Sequence, residues 1–323
     1  MKFLWRTDLH LSDRSPQSRL DNWSDTLLAK LDQIRIIAEE EKVSAVIDGG
    51  DFFHIKSPNQ TSHKLINRII DVHKNYPCPV YSNVGNHDCI YGDISYLPQQ
   101  PLGVLFESNV FHRLYDQYEL RLPGIRVFGV PYHGTSYDLG RLKVSKEKDE
   151  VLIVIAHLLA SPQGGSMFEA EDIVPYSFLD SCEADVFAFG HWHKNQGVVQ
   201  LPSGKQVINI GSLSRGSLTQ DVCISTVGAK ARIPSVAIID IADTITIKVI
   251  ELKVSSPELT FNLEQKIKEE KRSLVIDNFI SSMKSSLCCE SSNSISSIIE
   301  DTEGLPQKVK ELALLYLEKA SNA

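Results

Sequence analysis

Apolar residues over the first ninety positions alternate between two periods. Lys2–Trp5, Val43–Ile47 and Val80–Val84 are short runs rich in β-branched and aromatic residues, and they predict strands. Between them the spacing changes to that of a helix. Leu27, Leu28, Leu31, Ile34 and Ala38 share one face and predict a helix over 22–41. Leu65, Ile66, Ile69 and Val72 predict a second over 62–75. This β-α-β-α-β order predicts a layered α/β domain whose strands feed loops at one edge.

From about residue 124 the helical period thins. Strand-like runs follow at 125–130, 151–156, 185–189, 206–210 and 235–240, and the last reads as a hairpin with 244–252 through Ala242–Asp243. The expected fold is α/β, a two-sheet α/β sandwich over residues 1–253. A small helical C-terminal region, 254–323, then caps that domain or docks a partner. Within it, 262–283 has helical spacing through Leu263, Ile267, Leu274, Phe279 and Met283, and Ser281–Ser297 is serine-rich and predicts a linker. Pro306 opens a final helix with Val309, Leu312, Ala313, Tyr316 and Ala320 on one face.

Composition narrows the class. A chain of 323 residues, 42% hydrophobic, can bury one large core and a small appendage. Its formal charge of −8 does not mark a nucleic-acid binder. The nearest basic run, Arg141, Lys143, Lys146 and Lys148, is interleaved with Glu147, Asp149 and Glu150 and reads as a solvated loop. The start, MKFLWRTDLH, lacks the apolar core and cleavage site of a signal peptide. No apolar run reaches the roughly 18 residues of a membrane span. Cysteines at 78, 89, 182, 223, 288 and 289 have no metal-site spacing. A cytoplasmic chain with reduced thiols and no membrane contact is expected.

Five short motifs each follow an apolar strand: Asp8-Leu9-His10, Gly50-Asp51-Phe52-Phe53-His54, Gly85-Asn86-His87-Asp88, His157, and Gly190-His191-Trp192-His193. A lone histidine at a strand end is usually structural. Here six of the ten histidines fall in such motifs, at the edge where open α/β folds gather ligand sites. Asp8 and His10, like His191 and His193, stand two apart and project to one side of an extended segment. Imidazoles and carboxylates crowded this way favour a cation among them. Mixed His, Asp and Asn donors suit Mn, Fe or Zn better than Mg or Ca. The seven candidates Asp8, His10, Asp51, Asn86, His157, His191 and His193 fit two metals sharing a carboxylate. Two divalent ions less the charge of Asp8 and Asp51 leave about +2, suited to a phosphodiester anion.

The motif series DxH, GDxxH, GNHD, a lone H and GHxH resembles the calcineurin-like metallophosphoesterase superfamily over roughly residues 1–215. The resemblance implies one metal on Asp8, His10, Asp51 and His193, and a second on Asp51, Asn86, His157 and His191, with Asp51 bridging. It implies that His87 faces the scissile phosphate and that Asp88 stands behind the ligands. Within the superfamily the chain resembles SbcD-type DNA repair nuclease subunits, including compact bacteriophage-encoded ones. The resemblance is carried by His54, Ser57-Pro58, the stretch Pro79-Val-Tyr-Ser-Asn-Val-Gly-Asn-His-Asp, and Ile210-Gly211-Ser212-Leu213. It implies 3′-5′ exonuclease action on duplex DNA and endonuclease action on single strands, with two divalent ions, Mn²⁺ foremost and Mg²⁺, Fe²⁺ or Zn²⁺ as alternatives. It also implies a homodimer, an SbcC-like SMC-type ATPase partner, a place in DNA repair, recombination or replication, and a role for His54 in orienting the DNA phosphate. A stand-alone phosphatase or cyclic-nucleotide phosphodiesterase of the same fold is the alternative.

Overall fold

The computed structural model describes residues 1–54, 61–167, 171–225, 228–264, 267–268, 299–300 and 306–321. Strand β1 (Lys2–Arg6) leads through helix α1 (Trp23–Glu40) to β2 (Ala45–Asp48), then through α2 (His63–His73) to β3 (Val80–Ser82). Asn22 and Ser62 start the two helices: each side-chain oxygen accepts the backbone N–H three residues on. Past β3 the structure holds elements that the period did not predict. Two short 3₁₀ turns cover 90–92 and 94–99, followed by α3 (Pro101–Glu107) and the two-residue strand β4 (His112–Arg113). Each is too short to repeat a pattern.

The second half is strand-rich, as expected. It comprises β5 (Leu120–Leu122), β6 (Ile125–Val130), β7 (Val151–His157), β8 (Ala160–Ser161), β9 (Gly165–Met167), β10 (Glu171–Pro175), β11 (Val186–Gly190), β12 (Gly197–Gln200) and β13 (Gln206–Asn209). A ribbon of β14 (Val222–Ser225) and β15 (Gly228–Ala231) precedes the hairpin of β16 (Ser235–Ile241) and β17 (Ile245–Glu251).

Two six-stranded sheets result, ordered β17-β16-β1-β2-β3-β4 and β12-β13-β11-β7-β6-β5. Strands β1 to β4 run parallel, as do β6, β7, β11 and β13. Side-chain alternation makes the layers. Phe3, Trp5, Ala45, Ile47, Ala237 and Ile239 of the first sheet meet Ile153, Ile155, Val186, Ala188 and Ile208 of the second in one buried cluster. The alternate residues Leu4, Val46, Val236 and Ile238 face outward onto the apolar stripes of α1 and α2. Leu152, Val154, Phe187 and Phe189 cover the other side of the second sheet. This is the two-sheet α/β sandwich that the sequence predicts, with few helices.

The chain forms two compact units, 1–223 with 230–261, and 224–229 with 262–323. The final predicted helix spans Gln307–Ser321. Apart from residues 262–264 and 267–268, the predicted helix 262–283 and the serine-rich linker lie outside the described residues. Among the described residues no helix is long and apolar enough to cross a membrane.

Candidate metal centre

Because β1, β2 and β3 are parallel to one another, as are β7 and β11, their C-terminal ends each gather at a sheet edge, and the five motifs sit there. The structure brings the seven candidate ligands together. Donor atoms of Asp8, His10, Asp51 and His193 lie within 4.8 Å of one another, and those of Asp51, His157 and His191 do likewise. Asn86 joins the second set, its Oδ1 3.2 Å from His157 Nε2. Asp51 belongs to both. Its Oδ1 accepts the His87 backbone N–H at 2.7 Å, and its Oδ2 is buried without a hydrogen-bond donor. That oxygen lies 3.3 Å from His157 Nε2 and 3.7 Å from His10 Nε2.

The donor chemistry fits two cations. His157 Nδ1 faces the Gly49 carbonyl at 3.0 Å, so that nitrogen carries the proton and Nε2 turns its lone pair toward the oxygens of Asn86 and Asp51. Lone pairs meeting this way repel unless a proton or a metal ion lies between them. Burial opposes charge on His157, yet the Asp51 carboxylate lifts its pKa to about 10. Burial likewise works against the Asp51 charge, but His157 and His10 hold that carboxyl well below its ordinary range. At His10 burial wins, assisted by His193, His87 and His54, and its pKa falls well below the usual value.

The backbone is bent to serve these side chains. Asp8, His10, Asp51 and His191 have φ of 56°, 51°, 54° and 78°, a left-handed conformation costing about 1–3 kcal/mol each. Hydrogen bonds offset the cost: Asp8 N–H to Gly50 O, His10 N–H to Asp51 O, and His191 N–H to the Asp8 carboxylate. Asp88 holds the backbone of the candidate donor loops. It is fully buried, and its two oxygens accept the backbone N–H groups of Asp51, Gly85 and Phe53 at 2.7–2.9 Å. Burial and the Asp51 charge push its pKa well up. Gly85 admits no side chain, since a Cβ there would lie 2.1 Å from Asp51 Oδ1.

His54 and His87 stack at 4.7 Å beside the first donor set, and the His87 ring meets His10 edge-on at 4.8 Å. They line a cleft of about 540 Å³ with His10, Arg14, Trp23 and His193.

Two features escape sequence reading. The first is a grip on the loop after β13. Ser212 O accepts Arg232 Nη1, Leu213 O accepts Lys30 Nζ, Ser214 O accepts Arg232 Nη2, and Arg215 O accepts Arg19 Nη1. The N–H groups of Ser212, Leu213 and Ser214 in turn reach the carbonyls of His193, Thr7 and Asp8. Lys30 is buried on α1; desolvation and the neighbouring guanidinium groups of Arg19, Arg215 and Arg232 push its pKa well down. The second is Glu171 on β10, whose Oε1 lies 2.9 Å from His191 Nε2 and accepts the Tyr137 hydroxyl at 2.7 Å. Burial raises the Glu171 pKa, but these two partners outweigh it and lower the value. Neither Lys30 nor Glu171 belongs to a recognisable motif, and only the fold brings them here.

Comparison with known proteins places the chain by family. The calcineurin-like phosphoesterase family profile matches residues 1–195. No curated protein sequence matches the chain. Among solved structures, a dimetal phosphatase from Danio rerio is similar at 15% identity and TM-score 0.53, covering 81% of this chain and 98% of its own. The purple acid phosphatase PPD1 from yellow lupin (Lupinus luteus) seeds is similar at 13% identity and TM-score 0.47, covering 79% of this chain and 52% of its own. The profile takes in all five motifs, and those motifs fold into two donor sets around one shared carboxylate; the chain belongs to the calcineurin-like phosphoesterase family.

Proposed function

We propose that the chain is a DNA nuclease of the SbcD type, cutting phosphodiester bonds with two Mn²⁺ ions and working with an SbcC-like ATPase. The observation that carries this reading is the stacked His54–His87 pair on the wall of an open cleft directly beside the first donor set. Hydrolysis of a phosphoester releases an oxygen that must gain a proton, and His87 has the right chemistry and place to serve it. The open cleft beside the donor sets leaves room for a phosphodiester within a polymer. The seven donors would hold two divalent ions, which would supply an activated water and positive charge for the phosphoryl oxygens. The protein's own residues do the rest. Asp51 and Asp88 fix the spacing of the donor sets, His87 gives a proton to the departing 3′ oxygen, and His54 and Arg14 align the DNA backbone along the cleft.

The fold likeness to a dimetal phosphatase favours a second reading, a stand-alone phosphatase or cyclic-nucleotide phosphodiesterase. One assay separates them. End-labelled duplex DNA and a small phosphoester are incubated with the purified chain and Mn²⁺, with and without an SbcC-type ATPase. DNA cleavage that stops on chelation and quickens with the ATPase is expected. Rapid turnover of the small ester beside intact DNA would establish the second reading.

A further inference from the structure

Glu171 sits next to a donor histidine without belonging to any motif, and its surroundings are built rather than incidental. The Tyr137 hydroxyl donates to Glu171 Oε1 at 2.7 Å and itself accepts the backbone N–H of Leu159, two residues past His157, at 3.1 Å. The next residue on β10, Asp172, accepts the Tyr137 N–H at 3.0 Å and donates its own N–H to Thr135 O at 2.9 Å. The Glu171 carboxylate is thus held by both strand and loop, its side chain 18% exposed, and it meets His191 Nε2 at 2.9 Å. A carboxylate only accepts, so the proton of His191 sits on Nε2 and the lone pair on Nδ1. Tyr132 packs on the same imidazole with ring centres 5.4 Å apart. His157 is held the other way, with Nδ1 on Gly49 O and Nε2 left as the donor atom.

We propose that Glu171, fixed by the Tyr137 hydroxyl, is a positioning residue of the second metal site that holds His191 in the tautomer presenting Nδ1 to the ion. The two histidines of that site then offer opposite ring nitrogens, each set by a partner behind it. Such partners typically govern metal affinity by about 10–100-fold. The inference rests on the reading of Asp51, Asn86, His157 and His191 as the donors of one ion.

The test is Mn²⁺ binding to the 323-residue chain, followed by calorimetry and by the spin-coupled signal of a manganese pair. Glu171→Ala is expected to weaken the second binding step by about 10–100-fold and leave the first unchanged. Glu171→Gln, whose amide oxygen still accepts from Nε2–H, is expected to stay within a few-fold of wild type. In the metal-free protein, ¹⁵N resonances of His191 should report the Nε2–H tautomer in wild type and Glu171→Gln, and a tautomer mixture in Glu171→Ala. Wild-type affinity in Glu171→Ala overturns the assignment, and so does equal weakening of both steps. Equal loss in the Gln and Ala variants overturns it in favour of direct ligation by the carboxylate. A wild-type protein that binds one ion only overturns the donor set itself.

Discussion

Asp51 has one oxygen tied to the His87 backbone and the other left between His157 and His10. Removing its carboxylate should therefore cost both ions together. Asp51→Ala is expected to bind none by elemental analysis, and stoichiometric metal in that variant would show that another group bridges. His87 makes the opposite case: it lines the cleft outside the two donor sets that share Asp51, with a ring nitrogen within 4.8 Å of those of His10 and His54. His87→Ser should slow cleavage of every DNA substrate by about 10²–10⁴-fold with metal content unchanged; lost metal would make His87 a ligand. His54→Ser should harm duplex exonuclease activity more than single-strand endonuclease activity, and equal loss would leave His54 without a special part in end-directed cutting. The candidate donors were legible in the sequence as a cluster because each stands within a few residues of a strand end, where spacing alone dictates proximity. Glu171 was not, because it nears His191 only through β10 and a Tyr137 contact 34 residues away along the chain.

At the scale of elements, the buried joint between β1, β2 and α2 decides how the first two motif loops meet. Arg6 Nε donates to Asp48 Oδ2 at 2.7 Å, Nη1 to the Tyr76 hydroxyl at 3.1 Å, and Nη2 lies 3.2 Å from His73 Nε2. Asp48 Oδ1 accepts the Gly50 N–H and so steadies the loop carrying Asp51. Burial, helped by the Arg6 guanidinium, pushes the His73 pKa well below its ordinary 6.5. Unfolded chains therefore take up a proton below about pH 6.5 that the folded protein refuses, and stability falls as pH drops from there. His73→Gln keeps an acceptor for Arg6 but cannot titrate. Denaturant melts between pH 7 and 5 should show a gentler loss of stability in that variant, by up to about 1.4 kcal/mol per pH unit. An unchanged slope would mean that His73 titrates normally. Strands and long helices were legible because alternation and the 3.6-residue stripe persist over several repeats. The stretch 90–113 was not, since 3₁₀ turns and a two-residue strand offer no repeat to read.

At the scale of the whole molecule, the acidic charge and the C-terminal helix bear on partnership. Val309 and Leu312 of Gln307–Ser321 are exposed, at 37% and 55%. Deleting residues 300–323 is expected to spare Mn²⁺-dependent cleavage and abolish binding to an SbcC-type ATPase; unfolding of the catalytic unit on truncation would make the helix a structural cap instead. The grip on the loop after β13 has a further consequence for DNA. Arg19 and Lys30 are buried and spent on backbone carbonyls, and Arg6, Arg126 and Arg215 are buried as well. None of these five basic side chains can meet a phosphate, so none of them would add to counterion release if the chain binds DNA alone. On the proposed reading, the DNA affinity of the isolated chain should fall less steeply with rising salt than that of a complex with an SbcC-type ATPase.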